Sequence, residues 1–301
     1  MNLSDNFKGA IYMSFAMAGF GFNDMLVKAT TEHLATGQII FIRGIFTTLL
    51  VMLLAHRTSA FRPVKDFFSP LLGFRVLMEV VGTFTYIYAL GQLPLANAGA
   101  ILQFLPLAVT LGAALVLREP VGWRRWLAIG TGFLGVLLII KPGPDGFSVA
   151  SFLALGCVIA SAARDLATRR LPPGLPTALV TLSTSFAVTI SAGILIQPLG
   201  GWRPVGLVPF IELVAAAGFL LIGYQALISA MRIGEISFIA PFRYTYMVWS
   251  LVLSFTIFGD RPDVFMLVGS LIVVLSGIYT FYRENLRKSE LLAQTAAPPA
   301  S

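Results

Sequence analysis

Apolar residues run along the chain in ten blocks, at about 8–29, 37–55, 69–91, 95–117, 123–140, 148–168, 175–197, 206–229, 235–258 and 263–282. At 1.5 Å of rise per residue, blocks of about 20 residues match a hydrocarbon layer about 30 Å thick. The pattern predicts an all-α integral membrane protein with ten transmembrane helices. Breaks such as "GQLPLA" at 91–96 and "MRIGEI" at 231–236 are so short that neighbouring spans must run antiparallel. The opening stretch "MNLSDNFKGAIYMSFAMAGF" shows no small-residue cleavage pattern and reads as a retained first span. After Tyr282 the chain turns polar and ends in "AQTAAPPAS", which predicts a disordered tail over 284–301.

The blocks also repeat. "ALGQLPLANAGAILQFLPLAVTLGAALVLREPVGW" begins at Ala89, and "AMRIGEISFIAPFRYTYMVWSLVLSFTIFGDRPDV" begins at Ala230. Each reads as a short turn, a long span, an acidic residue (Glu119, Asp260) with a proline nearby, then a glycine-bearing span. A five-span unit has an odd number of crossings, so its two copies must sit in opposite orientations, as in many secondary transporters. The expected organisation is two inverted five-helix repeats, 1–141 and 147–283, followed by the tail.

Composition sharpens this picture. Of 301 residues, 57% are hydrophobic and only 12% charged, and the mean hydropathy is +0.84. A soluble domain carries about 25% charged residues. A net charge of +7 in a soluble protein would hint at nucleic acid. Here the basic residues lie between apolar blocks and read as an orientation signal, so no nucleic-acid partner is expected. With ten spans, thirteen lysines and arginines fall on the side holding Lys8, Arg57, Arg118, Arg170 and Arg283. Four (Lys28, Lys141, Arg203, Arg261) fall on the other. That bias predicts cytoplasmic N- and C-termini. Cys157 is the single cysteine, which excludes an intramolecular disulfide and a cysteine metal cluster. Two histidines near span ends, and no phosphate loop or nucleophile elbow, leave no catalytic, metal or cofactor site to expect.

Polar and charged groups inside spans carry the chemistry, because intramembrane ionisable residues are expensive and mark solute or ion pathways. In "IAPFRYTYMVW", Pro241 removes a backbone hydrogen bond beside Arg243. Tyr244, Tyr246 and Trp249 follow, with polar-edged rings that suit a ring-bearing or cationic solute. Arg243 is expected to bind an anionic group of the solute; salt-bridging to a neighbouring helix is the structural alternative. In span one, Asn23 is a lining candidate, and Asp24 either pairs with Lys28 four residues on, binds a proton, or faces Arg43 of span two. In span three, Arg75 and Glu79 repeat the four-residue spacing, and Glu79 is the second proton-carrier candidate. Gln103 and Pro106 stand nearly where Tyr244 and Met247 stand in the second copy, making Gln103 a wall residue opposite Arg243. Tyr224 joins the lining set, while Arg164 and Asp165 read as interfacial anchors. Gly130, Gly132, Gly135, Gly269 and Gly277 suit close helix packing.

These residues and motifs resemble the EamA family of the drug/metabolite transporter superfamily over about residues 8–283. The resemblance rests on "FIRG" around Arg43, "LPLANAGAILQFLPLAVTLGAALVLREP", "GTGFLGVLLIIKPG" and "APFRYTYMVWSLVLSFTIFGDRPD". The acidic residue then proline after spans four and nine is its most specific element. Asp260 stands where glutamate is more usual, and Arg261 separates it from Pro262. The resemblance implies a ten-helix carrier with a central cavity between two halves, in a bacterial inner membrane, moving a small metabolite. The "FRYTYMVW" region is most similar to a subset that includes riboflavin and S-adenosylmethionine uptake carriers. The expected partners are a small-molecule solute and the lipid bilayer, with a homodimer left open. A membrane enzyme acting on a lipid-linked substrate is the alternative from another class.

Overall fold

Residues 5–57, 69–119, 122–141, 148–172 and 177–296 are described by a computed structural model. Helix α1 spans Asp5–Thr30, α2 Thr36–Arg57 and α3 Pro70–Gln92. The fourth span is split into α4 (Leu95–Leu102) and α5 (Leu105–Val116), and α6 (Trp123–Ile140) closes the first half. The second half holds α7 (Val149–Arg169), α8 (Thr177–Ile194) and α9 (Leu207–Ile233). Its fourth span is also broken, into α10 (Ile236–Ile239), a 3-10 turn (Ala240–Tyr244) and α11 (Thr245–Phe258), before α12 (Val264–Ala296). Eight of these spans are individually long and apolar enough to cross a membrane, and Leu179–Ile194 is a shorter apolar helix. With the broken ninth span, the protein has the ten spans expected.

Both breaks follow from proline. Pro106 and Pro241 offer no N–H and crowd the carbonyl four residues earlier, so the α-helical ladder cannot run through them. At the first break the chain tightens instead: Phe104 N–H reaches the Ile101 carbonyl at 3.1 Å. The sequence pattern predicted a bend beside Pro241 but an unbroken fourth span. At the end of α11, Gly259 takes the left-handed conformation (φ 69°) that a glycine tolerates best. That turn lets Asp260 accept a hydrogen bond from the Ser254 hydroxyl at 2.9 Å.

The last helix differs from expectation. Residues 284–296 continue α12 instead of forming an irregular tail, because "RENLRKSELLAQTA" is rich in strong helix formers despite its polarity. At 33 residues, or about 50 Å, α12 outruns any hydrocarbon layer.

The principal packing pairs are α1 with α9, α3 with α7, α6 with α12, and α2 with α8, and α4 also meets α11. Exchanging spans one to five with six to ten maps this set onto itself. A hydrogen bond between Thr48 and Thr189 (3.2 Å), on α2 and α8, joins residues 141 apart in the chain. The exterior carries large apolar side chains such as Leu53, Ile159, Leu207 and Val264, all more than half exposed. That surface suits hydrocarbon as solvent.

Without a hydrophobic force between helices in lipid, close approach comes from small residues. Gly19 meets Gly223 where α1 crosses α9, and Gly135 meets Gly269 where α6 crosses α12. A Cβ at Gly269 would lie 2.5 Å from the Gly135 carbonyl oxygen, whereas one at Gly130 would meet nothing within 4 Å. Gly130 is therefore not one of the packing glycines that the sequence suggested. Gly269→Ala should destabilise the folded protein by about 1–3 kcal/mol, and Gly130→Ala should leave it unchanged or slightly steadier. Thermal melts of the two purified variants in detergent test this; equal melting points would contradict the crossing.

Candidate functional site

The buried end of α1 supplies Asn23 and Asp24. The Asp24 carboxylate accepts from Asn23 Nδ2 at 2.8 Å through one oxygen. Its other oxygen accepts from the Tyr86 hydroxyl at 2.7 Å and from the Tyr246 hydroxyl. The two phenol oxygens are 3.2 Å apart. Arg43, on α2, donates to Asn23 Oδ1 at 3.3 Å, so the amide relays the guanidinium to the carboxylate. Tyr246 comes from the second half, and the other four come from the first. Asp24 is thus a knot between halves.

A second cluster lies two turns along α3. Glu79 accepts from Arg164 Nη1 through both oxygens, at 3.1 and 3.0 Å, and lies 4.0 Å from Arg75. Arg164 also donates to Asp165 at 2.9 Å. Arg75 reaches across to the hydroxyls of Thr168 (3.0 Å) and Thr184. Positive and negative charges balance in this group, and the side chains of Arg75, Glu79 and Arg164 are 20% exposed or less. One face of α3 builds both clusters: Arg75, Glu79, Gly82 and Tyr86 recur at i, i+4, i+7 and i+11. Gly82 leaves room for α7, with a Cβ position 3.5 Å from the Ser161 hydroxyl.

Aromatic residues fill the space beside these groups. Tyr224 stands edge-on to Phe20 with centroids 5.2 Å apart, and within electrostatic reach of Glu79, Arg164, Arg75 and Arg43. It is 40% exposed even so, an interior surface available to a solute. Phe22 stacks on Phe219 at 5.3 Å and tilts against Trp249 at 6.1 Å.

The sequence candidates therefore divide. Asn23, Asp24, Arg43 and Tyr246 form one bonded network, Tyr224 and Glu79 stand beside it, and Trp249 packs at its edge. Arg243 is exposed, with no hydrogen bond or ion pair among the described residues. Tyr244 turns the other way from Tyr246. Its hydroxyl fills a notch at Gly277 of α12, where an added Cβ would lie 1.5 Å away, and it finds no hydrogen-bond partner. Gln103 is buried with its amide nitrogen also unpartnered, and no hydrogen bond joins it to Arg243. A groove of about 410 Å³ between α6 and α12, beside Trp123 and Arg124, lies apart from all of these residues.

Several pairings differ from the sequence reading. Lys28 does not pair with Asp24 but donates to the Leu90 and Leu93 carbonyls, at 3.2 and 2.7 Å. Glu79 is neutralised mainly from α7, not from Arg75 on its own helix. Arg164 and Asp165 are part of that ion pair instead of interfacial anchors. Tyr86 was not singled out, although its spacing of seven from Glu79 placed it on the same face.

With this geometry in view, comparison with known proteins is informative. The model of the EamA-like transporter family matches residues 7–141. A riboflavin transporter of Vibrio cholerae is 30% identical over 209 residues, covering 67% of this chain and 68% of that protein. The chain belongs to the EamA-like transporter family. Within that family and its drug/metabolite transporter superfamily, an S-adenosylmethionine uptake transporter of Rickettsia prowazekii is 22% identical over 92% of this chain and 93% of its own. The pseudopaline exporter CntI of Pseudomonas aeruginosa is 26% identical over 87% and 92%. A crystal structure 17% identical in sequence superimposes with a TM-score of 0.62 over 92% of this chain and 98% of that one. These EamA relatives bear the names of transporters, not enzymes, and the chain is a multi-pass membrane protein.

The two tyrosines of "RYTY" give a direct check on the site. Tyr246→Phe removes a donor to a buried carboxylate and should cost about 1.5–3 kcal/mol. Tyr244→Phe removes a hydroxyl with no partner and should be neutral or stabilising. Unfolding midpoints in one detergent compare them, and a larger loss for Tyr244→Phe would reverse the assignment.

Proposed function

We propose that the protein is a secondary carrier that moves a small polar metabolite, ring-bearing or zwitterionic, by alternating access between residues 1–141 and 147–283. The observation that carries this reading is the Asp24 carboxylate, held in the bundle by Tyr86 from one half and Tyr246 from the other. A buried polar site shared by two halves near the broken spans is where such carriers bind their solutes. In this reading Arg43 meets an anionic group, Asn23 and Asp24 meet a donor, and Tyr224, Tyr246 and Trp249 offer ring faces. Glu79 and Arg164 hold α3 to α7 on the side that the lysine and arginine bias assigns to the cytoplasm. Both termini lie on that side of the bacterial inner membrane. Arg243, exposed near the end of its span, meets solute at the mouth, with Tyr244 and Gln103 lining the bends above it.

Names of the relatives set the panel to try: riboflavin, S-adenosylmethionine and pseudopaline. In proteoliposomes, at least one should show saturable flux. Arg43→Ala should lower that flux at least tenfold, and Arg243→Ala should change it less. Full flux in Arg43→Ala would remove the cluster from the pathway, and no saturable flux of any panel member would count against the carrier reading.

A further inference from the structure

The two buried carboxylates face different company. Glu79 accepts from Arg164 through both oxygens and has Arg75 at 4.0 Å, so two fixed cations hold it. Asp24 accepts only from neutral donors, the Asn23 amide and the Tyr86 and Tyr246 phenols. Its nearest cation, Arg43, is bonded to Asn23 and not to the carboxylate. Resting on the carrier reading above, we propose that Asp24 is the proton-exchanging group that couples transport to a proton gradient, and that Glu79 is the structural partner of Arg164 and Arg75.

The groups facing Asp24 from the surrounding helices agree with this assignment. Helix α2 presents Arg43, α3 presents Tyr86, and α11 presents Tyr246. Cys157 of α7 is within electrostatic reach. Tyr224 of α9 lies toward Arg43 and Glu79, Tyr244 of the 3-10 turn is lodged against Gly277, and Arg243 is exposed. Helices α4 and α10 carry no titratable side chain. Among the described residues, no second acid is bonded to this cluster and no cation donates to Asp24 directly.

The step itself is simple. One proton from the aqueous phase converts the Asp24 carboxylate to the neutral acid, and the same proton leaves to the opposite phase when the halves exchange. The position of the donors makes this exchange structural. A proton on the oxygen shared by the two phenols displaces one of them, loosening α1 from α3 or from α11. A proton on the other oxygen opposes the Asn23 amide and loosens its link to Arg43. Either way, protonation breaks a bond in the knot between halves. It also leaves Arg43 without a neutralising charge, so the protonated site favours a solute with an anionic group.

An infrared titration tests this without a solute. Purified protein in lipid nanodiscs should show a protonated-carboxyl C=O band that grows as pH falls and belongs to a buried group slow to exchange with deuterium oxide. The band should be absent in Asp24→Asn, restored in Asp24→Glu and retained in Glu79→Gln. Persistence in Asp24→Asn, loss in Glu79→Gln, or absence from the wild type would overturn the assignment. Melting curves confirm that each variant is folded, and the Asp24→Glu restoration covers a partly unfolded asparagine variant. Because the titration needs no transported compound, a failed flux panel and a failed titration remain separate results.

Discussion

A carboxylate inside a helix bundle surrounded by hydrocarbon has no bulk water to turn to, and every donor it needs must come from the protein. Asp24 meets that demand by drawing on its own neighbour, on α3 and on α11 at once. Much of the interior arrangement follows. The three helices must approach at one depth, and Gly21 of α1 lies beside the Trp249 side chain of α11, while Gly19 lets α9 close in on the same helix. The Asn23 amide, with an acceptor and a donor, serves the carboxylate and Arg43 together.

The broken spans are the second constraint. Proline at 106 and 241 interrupts the ladder where two antiparallel spans cross, and the bends change which way each side chain points. Tyr244 and Tyr246 point apart for a simpler reason. Two residues apart, they address different helices, one lodged in α12 and one bonded to Asp24. On a regular α-helix, residues two apart lie about 200° round the axis, so neighbours in "RYTY" could never have shared one pocket wall. The lone buried hydroxyl of Tyr244 and the lone amide nitrogen of Gln103 sit at positions 141 apart, one at each break.

The span count was legible in sequence, because block length is a strong signal on a hydrocarbon background, and polarity within spans marked Asn23, Asp24, Arg43 and Tyr246, which the structure bonds into one network. What was not legible is which charge meets which. Spacing on one helix suggested Asp24 with Lys28 and Arg75 with Glu79, yet both acids found better partners on other helices. Local spacing cannot foresee that Gly82 brings α7 close enough for Arg164 to embrace Glu79. Arg243 shows a related limit: depth along a span did not reveal that its side chain is exposed. The helical tail was obscured by its polarity, since charge content argues against a membrane span but not against a helix.

The symmetry of the fold makes its asymmetry meaningful. Exchange of halves carries the crossing of α1 with α9 onto that of α7 with α3, and an offset of 141 carries Asn23 and Asp24 onto Arg164 and Asp165. The two crossings have parted in chemistry. At α3 and α7 the contact is ionic, with Glu79 gripped by Arg164. At α1 and α9 it is aromatic, with Phe20 against Tyr224 and Phe22 against Phe219. A buried ion pair resists separation because parting strands two charges, whereas aromatic faces slide past one another at little electrostatic cost. The two symmetry-related crossings therefore differ in what their separation would cost, the ionic one more than the aromatic one.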